Sequence, residues 1–299
     1  MADDLGLPVE YITNLARGAS YEYKEYWIAK RTGGYRVIHH PSRRLKALQR
    51  WLLQNVIDSF PVHPSAVAYR HGKSIWDNAR VHAKSRYLLR MDLKDFFHSI
   101  SERDIRNYIS HHAGLFISWS VPDIDAFCGL VCRRQILTIG APTSPALSNA
   151  ICHDLDVSLH ALCETMGVKY TRYADDLFFS TLEQNVLAIV EKEVRNIIPS
   201  LPVPQKLSVN TTKTRHSSKK GARHVTGIVL GSDGLPPIGR AFKRRIRALI
   251  HKYASLNGAS RASLAGMIAY AEGFDPDFIN SLITKYGLPA IRGAMTRKD

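Results

Sequence analysis

Four cysteines in 299 residues, no long apolar run, no linker tract and a shortage of acidic side chains are what this sequence lacks or has little of. Each scarcity removes a class of protein. Cys128, Cys132, Cys152 and Cys163 lie in apolar, helix-like stretches without the short paired spacings of a zinc site, so they read as buried thiols. No apolar run approaches the roughly 18 to 20 residues that a membrane-spanning helix needs. The opening Met1-Ala-Asp-Asp-Leu-Gly is acidic where a secretory signal is basic and then apolar, so the cytoplasm is the expected compartment. Without Gly/Ser or Pro linkers, low-complexity tracts or internal repeats, any subdomains must pack directly on one another.

What is abundant is positive charge. Forty-one Lys and Arg against 26 Asp and Glu give a formal net charge of +15. A polyanion contacted by many such groups gains affinity through counterion release, which points toward nucleic acid. Charge alone leaves a generically basic soluble protein open. The 45% hydrophobic and 22% charged fractions are those of an ordinary globular chain, long enough for one large unit or two to three packed subdomains.

The pattern along the chain is α+β, a sheet backed by helices. A strand-like stretch from Tyr26 to Ile38 with Gly33-Gly34 in its middle predicts a hairpin. Pro41-Ser42 then opens a helix whose Leu45, Leu48, Gln49, Leu52, Leu53 and Val56 recur at helical spacing through Ile57. Tyr87 to Leu93 reads as a mostly buried strand ending at Asp92. Val168 to Ser180 reads as two strands joined by a tight turn at Asp175-Asp176. A helix from Leu182 to Ile198 and a short strand from Val225 to Leu230 follow. Beyond Gly234, Arg240 to Lys252 forms a helix with Phe, Ile and Leu on one face and a cationic opposite face, either a solvated surface or a nucleic-acid grip.

Transferring a nucleotidyl group to a hydroxyl requires an activated oxygen and charge neutralisation on the triphosphate. Two divalent ions held by carboxylates, about 3.5 to 4 Å apart, supply both. A strand ending at Asp92 beside a hairpin tip at Asp175 and Asp176 would gather three carboxylates at one sheet edge. An Asp-Asp pair by itself is more often a solvated turn.

Four ordered segments decide between these readings. Tyr173-Ala-Asp-Asp176-Leu-Phe-Phe-Ser resembles the reverse transcriptase catalytic hairpin, and Asp92-Leu-Lys-Asp-Phe-Phe-His-Ser-Ile resembles that family's first acidic motif. Gly140-Ala-Pro-Thr-Ser144-Pro145-Ala-Leu-Ser-Asn149 is similar to the segment under template and incoming nucleotide. Leu207-Ser-Val-Asn-Thr-Thr-Lys213 is similar to the later motif with a lysine near the triphosphate. Asn78-Ala-Arg-Val-His82 and Val225-Thr226-Gly227 resemble the NAxxH and VTG elements of the retron reverse transcriptases. Leu264 to Gly273 is similar to their thumb helix.

The resemblance implies a right-hand polymerase fold: fingers, a palm with a ferredoxin-like antiparallel sheet backed by helices, and a short helical thumb. Its boundaries are expected at 1–85 for the N-terminal region and fingers, 86–233 for the palm with a finger insertion at about 103–138, and 234–299 for the basic thumb. It also implies that Asp92, Asp175 and Asp176, with the carbonyl of Leu93, hold two Mg2+ ions (Mn2+ as the alternative), and that Lys213 meets the departing pyrophosphate. Phe97 becomes the steric gate against ribose, with Phe96, Arg36, Gly140 and Ala141 beside the nucleotide. One of the two phenylalanines is expected in the core. Lys30 and Arg31 are further candidates for the triphosphate.

For RNA and DNA contact the candidates are Asn78, His82, Ser144, Pro145, Val225, Thr226, Gly227, Arg240, Lys243, Arg244 and Arg247, with Asn78 and His82 equally readable as structural. The implied partners are a retron noncoding RNA, its branched RNA-linked single-stranded DNA product (msDNA), dNTPs and an effector protein encoded nearby, without a membrane. Synthesis is expected to start from a guanosine 2′-hydroxyl, in a defence role against bacteriophage. No ribonuclease H or endonuclease region is evident, so template removal would fall to another protein. One departure stands out: Ile139 occupies the place where the family usually has Gln before Gly140. An intron-type or diversity-generating enzyme, or a noncatalytic RNA-binding scaffold, are the rival readings.

Overall fold

The computed structural model describes residues 1–29, 33–231, 239–273 and 275–295, without the side chain of Arg240. Its contacts divide into two compact units. One comprises Met1–Ser74 with Arg86–Ser217, the other Ile75–Ser85 with Ser218–Asp299. No described helix is long and apolar enough to cross a membrane.

In the first unit, β1 (Tyr23–Ala29) and β2 (Tyr35–Pro41) form an antiparallel hairpin that runs in register from Tyr23↔Pro41 to Ala29↔Tyr35. Gly33 and Gly34 both have positive φ, the conformation for which glycine carries no steric penalty. Pro41 closes β2, and the helix that follows is Arg43–Asn55, with Ser42 Oγ accepting the Leu45 N–H at 3.3 Å. Such a cap stabilises by about 1 kcal/mol. Leu45, Leu48, Gln49 and Leu52 form its buried stripe, and Gln49 donates to the Leu130 carbonyl at 2.8 Å.

The main sheet contains β3 (Tyr87–Leu93), β4 (Lys169–Tyr173), β5 (Asp176–Thr181) and β6 (Val209–Ser218) in the order β4-β5-β3-β6. β5 pairs antiparallel with both β3 and β4. With helices connecting β3 to β4 and β5 to β6, this is the ferredoxin-like arrangement. Helices His153–Thr165 and Val186–Ser200 pack on these strands. Leu89, Met91, Leu177 and Phe179 share one core with Leu155, Leu159, Val190 and Val194. Each such side chain contributes about 1.5 to 3 kcal/mol on burial. The second helix starts at Val186 rather than Leu182, because Leu182 is exposed and Asn185 is left-handed, φ 66°. Helices Glu102–His111 and Val121–Val131 each begin with a capping box, Ser101 with Asp104 and Ser120 with Asp123. All four cysteines are free and buried.

In the second unit, helix Ile75–His82 packs on a small hairpin, β7 (Arg223–Val225) and β8 (Ile228–Leu230). The sequence suggested one strand here. Thr226 and Gly227 both take positive φ, which folds the stretch back on itself. Arg223 is fully buried, and its guanidinium donates to the Ser85 and Gly231 carbonyls. A cation there meets the carbonyls just past the C-terminal end of the Ile75–His82 helix. Helices Arg240–His251, Gly258–Glu272, Pro276–Tyr286 and Leu288–Met295 enclose a separate core built on Ile246, Leu264, Ile268, Phe278, Leu282 and Ile291.

Candidate active site

Three aspartates meet at one end of the main sheet because of strand register. Asp92 in β3 lies directly opposite Asp176, the first residue of β5. Tyr173 pairs with Asp176 across the β4–β5 hairpin, which leaves only Ala174 and Asp175 to turn the chain. Ala174 takes the left-handed conformation, φ 57°. The N–H of Leu93 donates to the Asp175 carbonyl at 2.8 Å, fastening that turn to the end of β3.

Gathering carboxylates out of water raises their proton affinity. Burial, and then the charge of Asp92, push the Asp175 carboxyl up, while Lys213 and Arg36 oppose the rise. Asp176 is pushed up to about 6, first by burial and then by Asp175 and Asp92, against the opposing pull of Arg90. Two cations hold the cluster. Lys213 Nζ, on β6, donates to both Asp92 oxygens at 2.9 Å, and Arg90 grips Asp176 through Nε and Nη2 at 3.0 and 2.9 Å. The sequence reading missed Arg90. Its signal was the strand alternation that sets Arg90 on the same face as Asp92, two residues on.

Among the described residues no group of three or more His, Cys, Asp or Glu side chains is arranged as a metal cage. Asp92 and Asp176 instead hold Lys213 and Arg90. The donor chemistry fits a hard divalent cation: these are oxygen ligands, two of them with proton affinity raised by burial and mutual repulsion, and a bound cation relieves both effects.

Phe96 is buried, with the Arg172 guanidinium 6.0 Å from its ring centroid. Phe97 is half-buried, its ring centroid 5.4 Å from that of Phe96. Arg36 is exposed on β2, close enough for its charge to act on Asp175. Lys30 and Arg31 lie outside the described residues.

Gly140 packs against β2 with φ 109°, and a Cβ at that position would stand 2.5 Å from the His39 carbonyl oxygen. The His39 N–H donates to the Ile139 carbonyl at 2.8 Å, so the residue found in place of the usual Gln engages through its backbone. His39 also shares a 2.6 Å hydrogen bond with Thr138 Oγ1 and faces Glu25, which pairs with Arg133 at 2.6 Å. Ala141 and Ser144 are buried, Ser144 Oγ accepts the Thr138 N–H at 3.3 Å, and Pro145 opens helix Ser144–Ile151. Ser144 therefore holds the loop rather than presenting itself to nucleic acid.

Beneath the turn lies a buried ion pair that the sequence reading also missed. Arg172 and Asp156 are both inaccessible, 2.6 Å apart, and Arg172 further donates to Asn149 Oδ1 at 3.0 Å and to the Ala174 carbonyl at 3.4 Å.

In the second unit the two short motifs pack together. Thr226 Oγ1 donates to the Ile75 carbonyl at 3.3 Å, while Asn78, His82 and Val225 are fully buried. Those three side chains are core, whereas Thr226 is half-buried and Gly227 exposed. Lys243 is tied to Asp275 at 2.5 Å, and it and Arg247 lie 4.9 and 5.1 Å from the Phe278 ring centroid. Arg244 is exposed, whereas the side chain of Arg240 lies outside the described residues.

With this geometry in hand, three comparisons bear on the chain. The family model described as reverse transcriptase (RNA-dependent DNA polymerase) matches residues 28–230. The chain is similar to the retron Ec83 reverse transcriptase of Escherichia coli, 34% identical over 277 residues that cover 90% of this chain and 88% of that protein. It is similar to the retron Ec86 reverse transcriptase of Escherichia coli at 30% over 301 residues, covering 97% and 90%. Among solved structures, apo telomerase from Candida tropicalis shares the fold with a TM-score of 0.52 at 14% identity, over 88% of this chain and 58% of that one. Telomerase from Candida albicans in complex with a fragment of telomeric RNA gives 0.50 at 13% identity, over 91% and 59%.

Proposed function

The chain belongs to the reverse transcriptase family and is a retron-type RNA-directed DNA polymerase, and on that premise we propose that it copies a structured noncoding RNA into msDNA, branched DNA still joined to its RNA. Synthesis starts from the 2′-hydroxyl of a guanosine in that RNA and consumes dNTPs. The unit acts in defence against bacteriophage together with an effector protein encoded nearby.

Asp92, Asp175 and Asp176, with the Leu93 carbonyl, would hold two divalent ions, Mg2+ or alternatively Mn2+. Such ions activate the attacking hydroxyl and offset charge on the triphosphate. Lys213 exchanges its hold on Asp92 for the departing pyrophosphate, supplying positive charge or a proton. Arg36 steadies the triphosphate. The Phe97 ring occupies the space a ribose 2′-hydroxyl would need, so deoxynucleotides are favoured by a clash with the alternative.

We assign fingers to 1–85, palm to 86–233 with its insertion at about 103–138, and thumb to 234–299, with helix Ile75–His82 packed in the same unit as the thumb. The exposed cations of the Arg240–His251 helix, Arg244 among them, then grip duplex phosphates in a salt-dependent way.

The observation that carries this reading is the pairing of Asp92 with Asp176 while the Leu93 N–H ties Asp175 to the same strand end. Primer extension on purified protein with its RNA tests it. Incorporation of dNTPs that disappears in Asp175→Ala, with RNA binding retained, supports it. Equal incorporation by Asp175→Ala and the parent refutes it.

A further inference from the structure

An aromatic side chain outside every motif quoted above stands beside the catalytic turn. Residues 65–68 run along β4: Ala66 and Arg172 form a parallel bridge, the Val67 N–H donates to the Arg172 carbonyl at 2.9 Å, and the Arg172 N–H donates to the Ser65 carbonyl at 2.7 Å. Asn149 Nδ2 donates to the Ala68 carbonyl at 2.8 Å, and Ala66 and Ala68 are buried. Tyr69 is the residue after this pinned segment, and β4, to which the segment is tied, ends at Tyr173, two residues before Asp175.

At Tyr69 the pinned backbone turns left-handed, φ 61°, a conformation that side chains other than glycine and asparagine seldom adopt. The ring is 48% exposed, and its centroid lies 6.3 Å from that of Phe97, with the planes tilted by 42°. Burial, and then the charge of Asp175, push its phenol upward. A large aromatic group held half in solvent by an unfavourable backbone conformation, beside the reacting groups, is strain kept where function uses it.

We propose that Tyr69 is the second aromatic wall of the deoxynucleotide subsite, its ring packing against the incoming nucleotide and bracing Phe97. This rests on Phe97 being the gate. The ring does the work rather than the hydroxyl, because an aromatic face accepts all four nucleotides equally.

Single-nucleotide incorporation by Tyr69→Gly, Tyr69→Phe and Phe97→Ala, with dNTP and rNTP in parallel, tests the assignment. Glycine accepts the backbone conformation freely, so Tyr69→Gly removes the ring while melting no lower than the parent. Loss of one stacking contact raises its KM for dNTP about tenfold or more, with kcat within about threefold of the parent and weaker discrimination against rNTP. Tyr69→Phe recovers the affinity. If Tyr69→Gly keeps the parental KM and discrimination while Phe97→Ala admits rNTP, Tyr69 is no part of the subsite and the gate stands. If Phe97→Ala discriminates as the parent does, the gate fails and the second wall falls with it.

Discussion

Asp176→Asn will stabilise the metal-free protein above neutral pH and leave it nearly unchanged at about pH 4. In the folded chain the Asp176 carboxyl is raised from 3.8 to about 6, chiefly by burial. The unfolded chain releases that proton near 3.8, so between these values the folded state binds more protons. Its stability contribution is complete below the unfolded value and is lost as pH rises through about 6. At 1.36 kcal/mol per pH unit, the ionised carboxylate opposes folding by about 3 kcal/mol above that point. Asparagine carries no such charge. The Arg90 pair that asparagine forfeits is already counted, because its pull opposes the rise to about 6, so the net gain is about 3 kcal/mol. Urea unfolding of parent and variant at several values between about pH 4 and 8, with a chelator present, measures the difference and cancels the titrating groups remote from Asp176. It should grow from near zero to its plateau between about pH 4 and 6. Millimolar Mg2+ should then shrink or reverse it, because only the parent keeps the full ligand set and binding to the native state stabilises it. A difference that is flat across this range, or largest in acid, refutes the reasoning.

Arg172→Met leaves Asp156 charged in the interior and should destabilise by about 3 to 5 kcal/mol; adding Asp156→Leu should restore most of the loss in chemical denaturation. Gly140→Ala sets a methyl group 2.5 Å from the His39 carbonyl oxygen at φ 109°, and about 2 to 4 kcal/mol of combined strain is expected, read as a lower denaturation midpoint. Lys213→Ala should lower kcat for dNTP incorporation by about 10²-fold, with RNA affinity in filter binding close to the parent's.

The chemistry of the site was legible in the chain because its signals are local. The apolar run before Asp92 and the aromatic and β-branched flanks of Asp175-Asp176 specify strands that carry carboxylates at their ends, and the helical spacing from Leu45 to Leu52 specifies a helix. The left-handed residues were less visible. Thr226 divided a predicted strand and Asn185 delayed a helix, since such conformations depend on what surrounds the turn more than on the residue in it.

Composition and periodicity by themselves determined an α+β chain with three carboxylates at strand ends and a surplus of cations, and motif order supplied the family. Tertiary structure alone decided which cation meets which carboxylate: Arg90 on Asp176, Lys213 on Asp92, Arg172 on Asp156. It also turned Asn78, His82 and Ser144 into core residues and set Tyr69 against Phe97. Side-chain type and spacing report only which face of an element a residue occupies, whereas the meeting of Asp92 with Asp176 is chosen by register between strands well separated in sequence, and register depends on the packing of the whole sheet.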